Sequence, residues 1–203
     1  RCDQFAYYNV AQMIGSTGIL LASQTNQKLV PFGEYLPGGE SFPFLRDWLP
    51  NARRYLPGDE LNLFPGVDGS SILAAICYDI GFEPILKKAL ESGVRVVWNP
   101  VNDGWFPSSM AAWHKALAQF RSAEMGLPLI RVSNSGYSVI ADDRGVVLQT
   151  GEWDQSVAKT VTIPVPEHAG PWLHIAEIFR LAMLGWVLLD VGLGLLLRRS
   201  QKD

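Results

Sequence analysis

Apolar residues come in short clusters over most of the chain and in one long block near its end. Two apolar stretches, Tyr7–Ile14 and Gly18–Ala22, flank Gly15-Ser16-Thr17-Gly18, which is the pattern of a hairpin. Lys28-Leu29-Val30 reads as a short strand running into the Pro/Gly-rich segment that ends at Gly39. Residues 40–70 read as loop, with Trp48, Tyr55 and Phe64 as isolated anchors. Ile72–Cys77 is a continuous apolar run and predicts a buried strand. Glu83–Ser92 carries helical spacing with Gly93 as its stop, and Val94–Trp98 is a strand again. Ser109–Gly126 predicts a second helix, closed by Gly126 and Pro128. Leu129–Ser133 and Tyr137–Ala141 predict strands; Asp142-Asp143-Arg144-Gly145 is a turn, and Val146–Gln149 its return strand. Strands alternating with helices and hairpins give an α/β layered domain, expected over residues 1–170. No internal repeat is visible.

The last block differs in kind. Leu181–Leu197 is almost wholly apolar, and Arg198, Arg199 and Lys202 follow it. With residues 173–180 in front, a helix here reaches across a hydrocarbon core of roughly 30 Å at about 1.5 Å per residue. Trp172 falls where an interfacial aromatic ring belongs. Asp190 opposes insertion, costing about 2.5–3.5 kcal/mol at a helix centre, and has to face protein. The competing reading is a buried helix of a globular core. The expectation is one transmembrane helix in residues 171–203, its basic tail cytoplasmic by the positive-inside rule and the α/β domain on the outer side.

Composition narrows the classes. The net charge is −3, so no basic field invites nucleic acid. Cys2 and Cys77 are too few for a disulfide framework and have no zinc-finger spacing. His114, His168 and His174 are scattered, so neither a metal nor another cofactor is expected. The chain begins at Arg1 and shows no signal peptide, which reads as a piece of a longer polypeptide.

Cys77 is the candidate for chemistry. It sits in Ala74-Ala75-Ile76-Cys77-Tyr78-Asp79, where a buried strand meets polar residues, and strand ends present side chains at the carboxyl edge of α/β sheets. Against this, free cysteine is among the most buried residue types and mostly packs. The same two readings apply to Glu34, which is either a capping carboxylate of a proline-flanked loop or part of a site. Asn102-Asp103-Gly104 reads as a turn, Arg121 and Glu124 as a helical ion pair, and His114 as a satisfied polar residue heading its helix.

Four blocks in order decide between those readings. They are Leu29-Val30-Pro31-Phe32-Gly33-Glu34-Tyr35-Leu36-Pro37, Ala74–Asp79, Asn102-Asp103-Gly104-Trp105-Phe106, and His114 through Arg121, Glu124, Pro128-Leu129 and Arg131 to Gly136. In order and spacing the chain resembles the apolipoprotein N-acyltransferases of bacterial envelopes, a membrane branch of the nitrilase, or carbon-nitrogen hydrolase, superfamily. The resemblance runs from about residue 6 to residue 150, with the final helix agreeing as well.

The resemblance implies an αββα sandwich, here partial, followed by one C-terminal transmembrane helix. It implies a Glu-Lys-Cys set in which a cysteine thiolate takes an acyl group from a phospholipid and passes it to the N-terminal amine of a lipoprotein. Such covalent catalysis splits one acyl transfer into two easier steps. Cys77 maps onto the nucleophile and Glu34 onto a second essential glutamate. Tyr78 and Asp79 follow the nucleophile in a substrate-binding position, Asp79 as a shortened carboxylate, and Trp105 and Phe106 help shape the acyl pocket. Three departures stand out. The family's general-base glutamate comes from upstream of Arg1, so another segment or a second chain is expected to complete the domain. The catalytic lysine position holds Asn26, which leaves Lys28, two residues on and on the same face of a strand, as the candidate substitute cation. Trp105-Phe106 is followed by Pro107 where the family has glycine. Two functions follow: an acyltransferase of the bacterial inner membrane, or a degenerate relative that kept the fold and binds partners.

Overall fold

The computed structural model describes residues 7–39, 41–42, 44–48, 54–66 and 68–200. Cys2 and Lys202 lie outside the described residues, as do the side chains of Trp172, Arg198 and Arg199. The chain divides into two units, residues 1–169 and 170–203.

In the first unit, β1 (Val10–Ile14) and β2 (Leu20–Thr25) form the hairpin, paired antiparallel. A short helix, α1 (Leu45–Trp48), follows. A six-stranded sheet is then laid down in spatial order β3 (Phe64–Pro65), β4 (Ser71–Ala74), β5 (Val94–Val101), β6 (Leu129–Ser133), β7 (Ser138–Ala141) and β8 (Val147–Gly151). β4, β5 and β6 are parallel, and parallel neighbours need a crossover. α2 (Glu83–Glu91) and α3 (Ser108–Met125) supply those crossovers. The sheet ends in the antiparallel meander β6-β7-β8.

Parallel strands covered on both faces read as unbroken apolar runs, and Leu73, Ala74, Ala75, Val94, Val96 and Val97 are all buried. Alternation along β4 and its extension sends Ala74 and Ile76 toward the hairpin, where they cluster with Ala11 and Phe64 and are flanked by Met13, Ala22, Ile72 and Trp98. α3 stops at Gly126, whose φ of 64° is the left-handed cap that lets its N–H reach the carbonyls of Ser122 and Ala123.

The departures from the sequence reading are local. Lys28–Val30 is not a strand; β2 ends at Thr25. The N–H groups of Gln27 and Lys28 go to the Asp79 carboxylate and that of Val30 to Glu34, so side chains replace a strand partner. The premise that Lys28 shares a strand face with Asn26 is therefore corrected. β3 and α1 lie in the segment read as loop, and β5 runs to Val101, three residues beyond the predicted end at Trp98.

The second unit is one helix, α4 (Trp172–Ser200, 29 residues). Leu181, Leu184, Trp186, Leu188, Leu189 and Val191 are exposed along it. Among the described residues no helix is long and apolar enough to cross a membrane; the apolar block runs on past Gly192, where the described side chains end.

Candidate active site

β4 delivers its chain to a sharp turn. Cys77 opens a 3-10 turn, Cys77–Gly81, with φ of 48°, a left-handed conformation that costs a side-chain-bearing residue about 1–2 kcal/mol. Such strained strand-to-helix turns push a nucleophile out of a sheet. The conformation persists because every carbonyl leading through it has a donor. The Asn99 amide donates to Ala75 O (2.6 Å) and Cys77 O (3.2 Å), and Asn26 Nδ2 to Ile76 O (3.0 Å). His114 Nε2 lies 3.2 Å from Cys77 O.

Behind the turn is a buried ionic network. Arg131 donates to Asn99 Oδ1 (2.7 Å), to Asp103 Oδ2 (2.7 Å) and to Tyr137 O (3.3 Å). Asp103 also accepts from Ser133 Oγ (2.9 Å) and meets His114 Nδ1 at 3.2 Å. Burial alone would raise the Asp103 carboxyl; the His114 hydrogen bond, the Arg131 charge and the Ser133 hydroxyl hold it below the usual carboxylate range. Burial lowers Arg131, and Asp103 opposes that shift. The network therefore ties β5, β6 and α3 together around the carbonyl of Cys77.

Glu34 is placed by the turn Val30–Glu34, in which Phe32 has φ of 64° and Glu34 N donates to Val30 O (2.9 Å). Its buried carboxylate accepts from Asn9 Nδ2 (2.5 Å) and Val30 N (2.8 Å). Cys77 and Glu34 line one cleft of about 670 Å³, together with Asn9, Tyr55, Trp105 and Phe106. Among the described residues no lysine or arginine lines it. Burial pushes the Cys77 thiol up to about 11, the negative charges of Glu34 and Asp103 adding to it while the Asn102 N–H and Arg131 oppose it. At pH 7 that leaves on the order of one molecule in 10⁴ as thiolate.

The other residues singled out by sequence fall elsewhere. The Lys28 ammonium lies 5.5 Å from the centroid of the Phe82 ring and lines a neighbouring cavity with Tyr78. Tyr78 packs edge-on against Phe82 at 5.0 Å. Asp79 is buried beneath the turn, accepting from Lys28 N (2.7 Å) and Gln27 N (3.1 Å), and burial pushes its carboxyl up to about 7 despite those donors. Asn26 is wholly buried; its Oδ1 has no hydrogen-bond partner among the described residues. Arg121 pairs with Glu124, as the helical spacing predicts, and also donates to Gly81 O (3.3 Å).

Sequence reading missed Asn9, Asn99 and Arg131 as site residues and took Asp103 and His114 for turn and helix polarity. The available signal was an arginine inside the apolar strand Leu129–Ser133 and an asparagine inside β5, since buried polar groups on strands need partners.

A carbon-nitrogen hydrolase family model matches residues 3–168. Apolipoprotein N-acyltransferases are among the similar proteins: that of Allorhizobium ampelinum is 36% identical over 146 residues, covering 70% of this chain and 27% of the relative. Those of Rhizobium leguminosarum bv. trifolii (34% identical, 88% of this chain, 35% of the relative) and Brucella melitensis (31%, 94% and 36%) are also similar. The chain thus spans about a third of these relatives or less. Among solved structures, Saccharomyces cerevisiae Nit3 of the nitrilase superfamily superposes with a TM-score of 0.56 at 16% identity, covering 73% of this chain and 51% of Nit3. An amidase of Nesterenkonia sp. AN1, carrying the acetamide moiety of fluoroacetamide on its active-site cysteine, gives 0.53 at 19%, covering 71% and 51%. These likenesses establish the nitrilase-like α/β fold, and with the family match over most of its length the chain belongs to the carbon-nitrogen hydrolase family.

Proposed function

We propose that this chain is the nucleophile-bearing part of an apolipoprotein N-acyltransferase-type protein of the bacterial inner membrane. The observation that carries the reading is Cys77, held in a left-handed strand-to-helix turn at the wall of the cleft that Glu34, Trp105 and Phe106 share. In the proposed reaction the Cys77 thiolate attacks the carbonyl carbon of a phospholipid acyl ester. The tetrahedral adduct expels the lysophospholipid alkoxide, which takes up a proton, and leaves a thioester. The free amine of a lipoprotein attacks that thioester, the adduct gives up an amine proton to the base, an amide forms, and the thiolate leaves. Glu34, an anionic wall beside the sulfur, suits a cationic or amine substrate. Because its own charge also raises the thiol, a base and a cation from outside residues 1–203 have to generate the thiolate and steady the oxyanion. Residues 181–197 form the membrane-spanning part of α4 in this reading, with the basic tail cytoplasmic and the α/β unit periplasmic.

The test is mass spectrometry of Cys77 after incubation of the protein, in detergent, with a phospholipid. The longer protein that includes the upstream segment is expected to form a thioester on Cys77 and the 203-residue chain alone is not. Recovery of α4-containing protein in the soluble fraction without detergent would sink the membrane assignment.

One observation favours a second reading, a degenerate subunit with a structural or partner-binding role. Asn26, at the family's lysine position, is folded onto Ile76 O. If thioester forms in the longer protein only after Asn26→Lys, the native protein is the degenerate form; if it forms without that change, this second reading goes.

A further inference from the structure

The cavity that Lys28 lines shares two residues, Pro31 and Tyr55, with the Cys77 cleft and has a volume of about 670 Å³. The two differ in charge. The Cys77 cleft holds Glu34 and, among the described residues, no lysine or arginine. The second cavity holds Lys28 and Arg54 and, among the described residues, no carboxylate; Tyr35 and Tyr78 add hydroxyls to its wall. Lys28 is fixed there through its backbone, because its N–H and that of Gln27 donate to the buried Asp79 carboxylate at 2.7 and 3.1 Å. The Lys28 side chain is exposed, its ammonium lies over the Phe82 ring, and no carboxylate among the described residues pairs with it. A ring face attracts a cation without consuming its three N–H donors, so they stay available to a ligand.

We propose that this cavity binds a phosphate ester, with its phosphoryl oxygens on Lys28 and Arg54 and its organic part against the tyrosine and proline walls. The chemistry of the lining selects the ligand. Two cations without a carboxylate favour an anion, and they divide the work: lysine supplies a point charge, arginine a planar fork that matches two oxygens of one phosphate. A phosphate group by itself occupies a small part of this volume, which leaves the aromatic walls for the group it is esterified to. Glu34 repels the same anion from the adjoining cleft, so two cavities with a common wall sort ligands by charge. A soluble phosphate ester and a phospholipid headgroup share this chemistry. The site does not depend on acyl transfer at Cys77.

The test follows acetylation of Lys28 by acetic anhydride, read by mass spectrometry on the 203-residue chain in a nonionic detergent at constant ionic strength. Lys115 is the internal reference, because its ammonium lies 5.0 Å from the centroid of the Tyr137 ring and it does not line this cavity. Glycerol phosphate is the soluble probe, and phosphatidylethanolamine in mixed micelles is the lipid probe. We expect one or both to slow Lys28 several-fold relative to Lys115. Arg54→Gln should raise the concentration for half protection about tenfold, the worth of one charge-assisted contact. Broadening of the probe's phosphorus NMR line by the chain should be lost in Lys28→Gln, which covers the case in which Arg54→Gln does not fold. Protection by glycerol phosphate assigns the site to soluble esters, and protection by the phospholipid alone assigns it to a headgroup. Equal slowing of Lys28 and Lys115 by both probes overturns the proposal, as do protection and broadening that the two substitutions leave intact. A thioester on Cys77 in the longer protein without protection of Lys28 removes this site and keeps the acyltransferase reading; protection without a thioester does the reverse.

Discussion

Asp79→Asn offers the sharpest check on the electrostatics under the Cys77 turn. The Asp79 carboxyl is pushed from its usual 3.8 to about 7 by burial, with the N–H groups of Lys28 and Gln27 only partly offsetting it. Because the folded-state value is raised, the unfolded chain ionises first as pH rises. Below about pH 4 both states hold the proton and the folded state is at its full stability. Between pH 4 and 7 only the folded state holds it, so stability falls by about 1.4 kcal/mol per pH unit. Above pH 7 the loss levels off at about 4 kcal/mol. At about 2–4 °C per kcal/mol for a protein of this size, that corresponds to roughly 8–16 °C in Tm. Asparagine keeps an oxygen for the Lys28 and Gln27 N–H groups and cannot ionise. Thermal unfolding in detergent, followed by tryptophan fluorescence from pH 4 to 8, should show the variant gaining on the parent as pH rises, most steeply between pH 4 and 7. Other titrating groups cancel in the difference. A gap that stays constant with pH, or opens in favour of the parent, refutes the reasoning.

Alkylation of Cys77 by iodoacetamide should accelerate about tenfold per pH unit from pH 7 to 10, and Glu34→Gln should shift the profile to lower pH by removing a negative neighbour; a rate already flat at pH 7 contradicts the raised thiol. Arg131→Met strands the buried Asp103 and should cost about 3–5 kcal/mol in urea unfolding, part of which Asp103→Leu added to it should restore; a loss under 1 kcal/mol would mean the network is not structural. Gly136→Ala drives a Cβ into the Asp103 carboxylate. It should destabilise the fold measurably and raise the thiol-blocking rate of Cys77 as its turn loosens, so an unchanged melting curve counts against the network.

How far the sequence alone reached follows from the range of the forces involved. Periodicity predicts α2, α3 and the strands from β4 onward within a few residues, because burial on one or both faces imposes an apolar rhythm on neighbouring positions. The ordered blocks around Glu34, Cys77 and Trp105 mark residues that the fold brings to one cleft. Local pattern is silent where a backbone group finds a distant side chain. Lys28–Val30 has strand composition, yet its N–H groups are claimed by Asp79, 51 residues on from Lys28, and by Glu34. The same holds for Asn26, whose amide meets Ile76 O across 50 residues, and for His114, whose partner Cys77 O is 37 residues away. A composition-based reading treats such polar residues as turn or surface, since only the assembled sheet shows that they are buried and must be paired. The thiol's protonation is likewise a tertiary quantity: residue type supplies a cysteine, but its burial beside Glu34 and Asp103 is set by three separate segments meeting in space. Residue pattern thus determined the layers and singled out Cys77 as the candidate for chemistry, and packing alone decided the electrostatic state of its thiol and the side to which Lys28 turns.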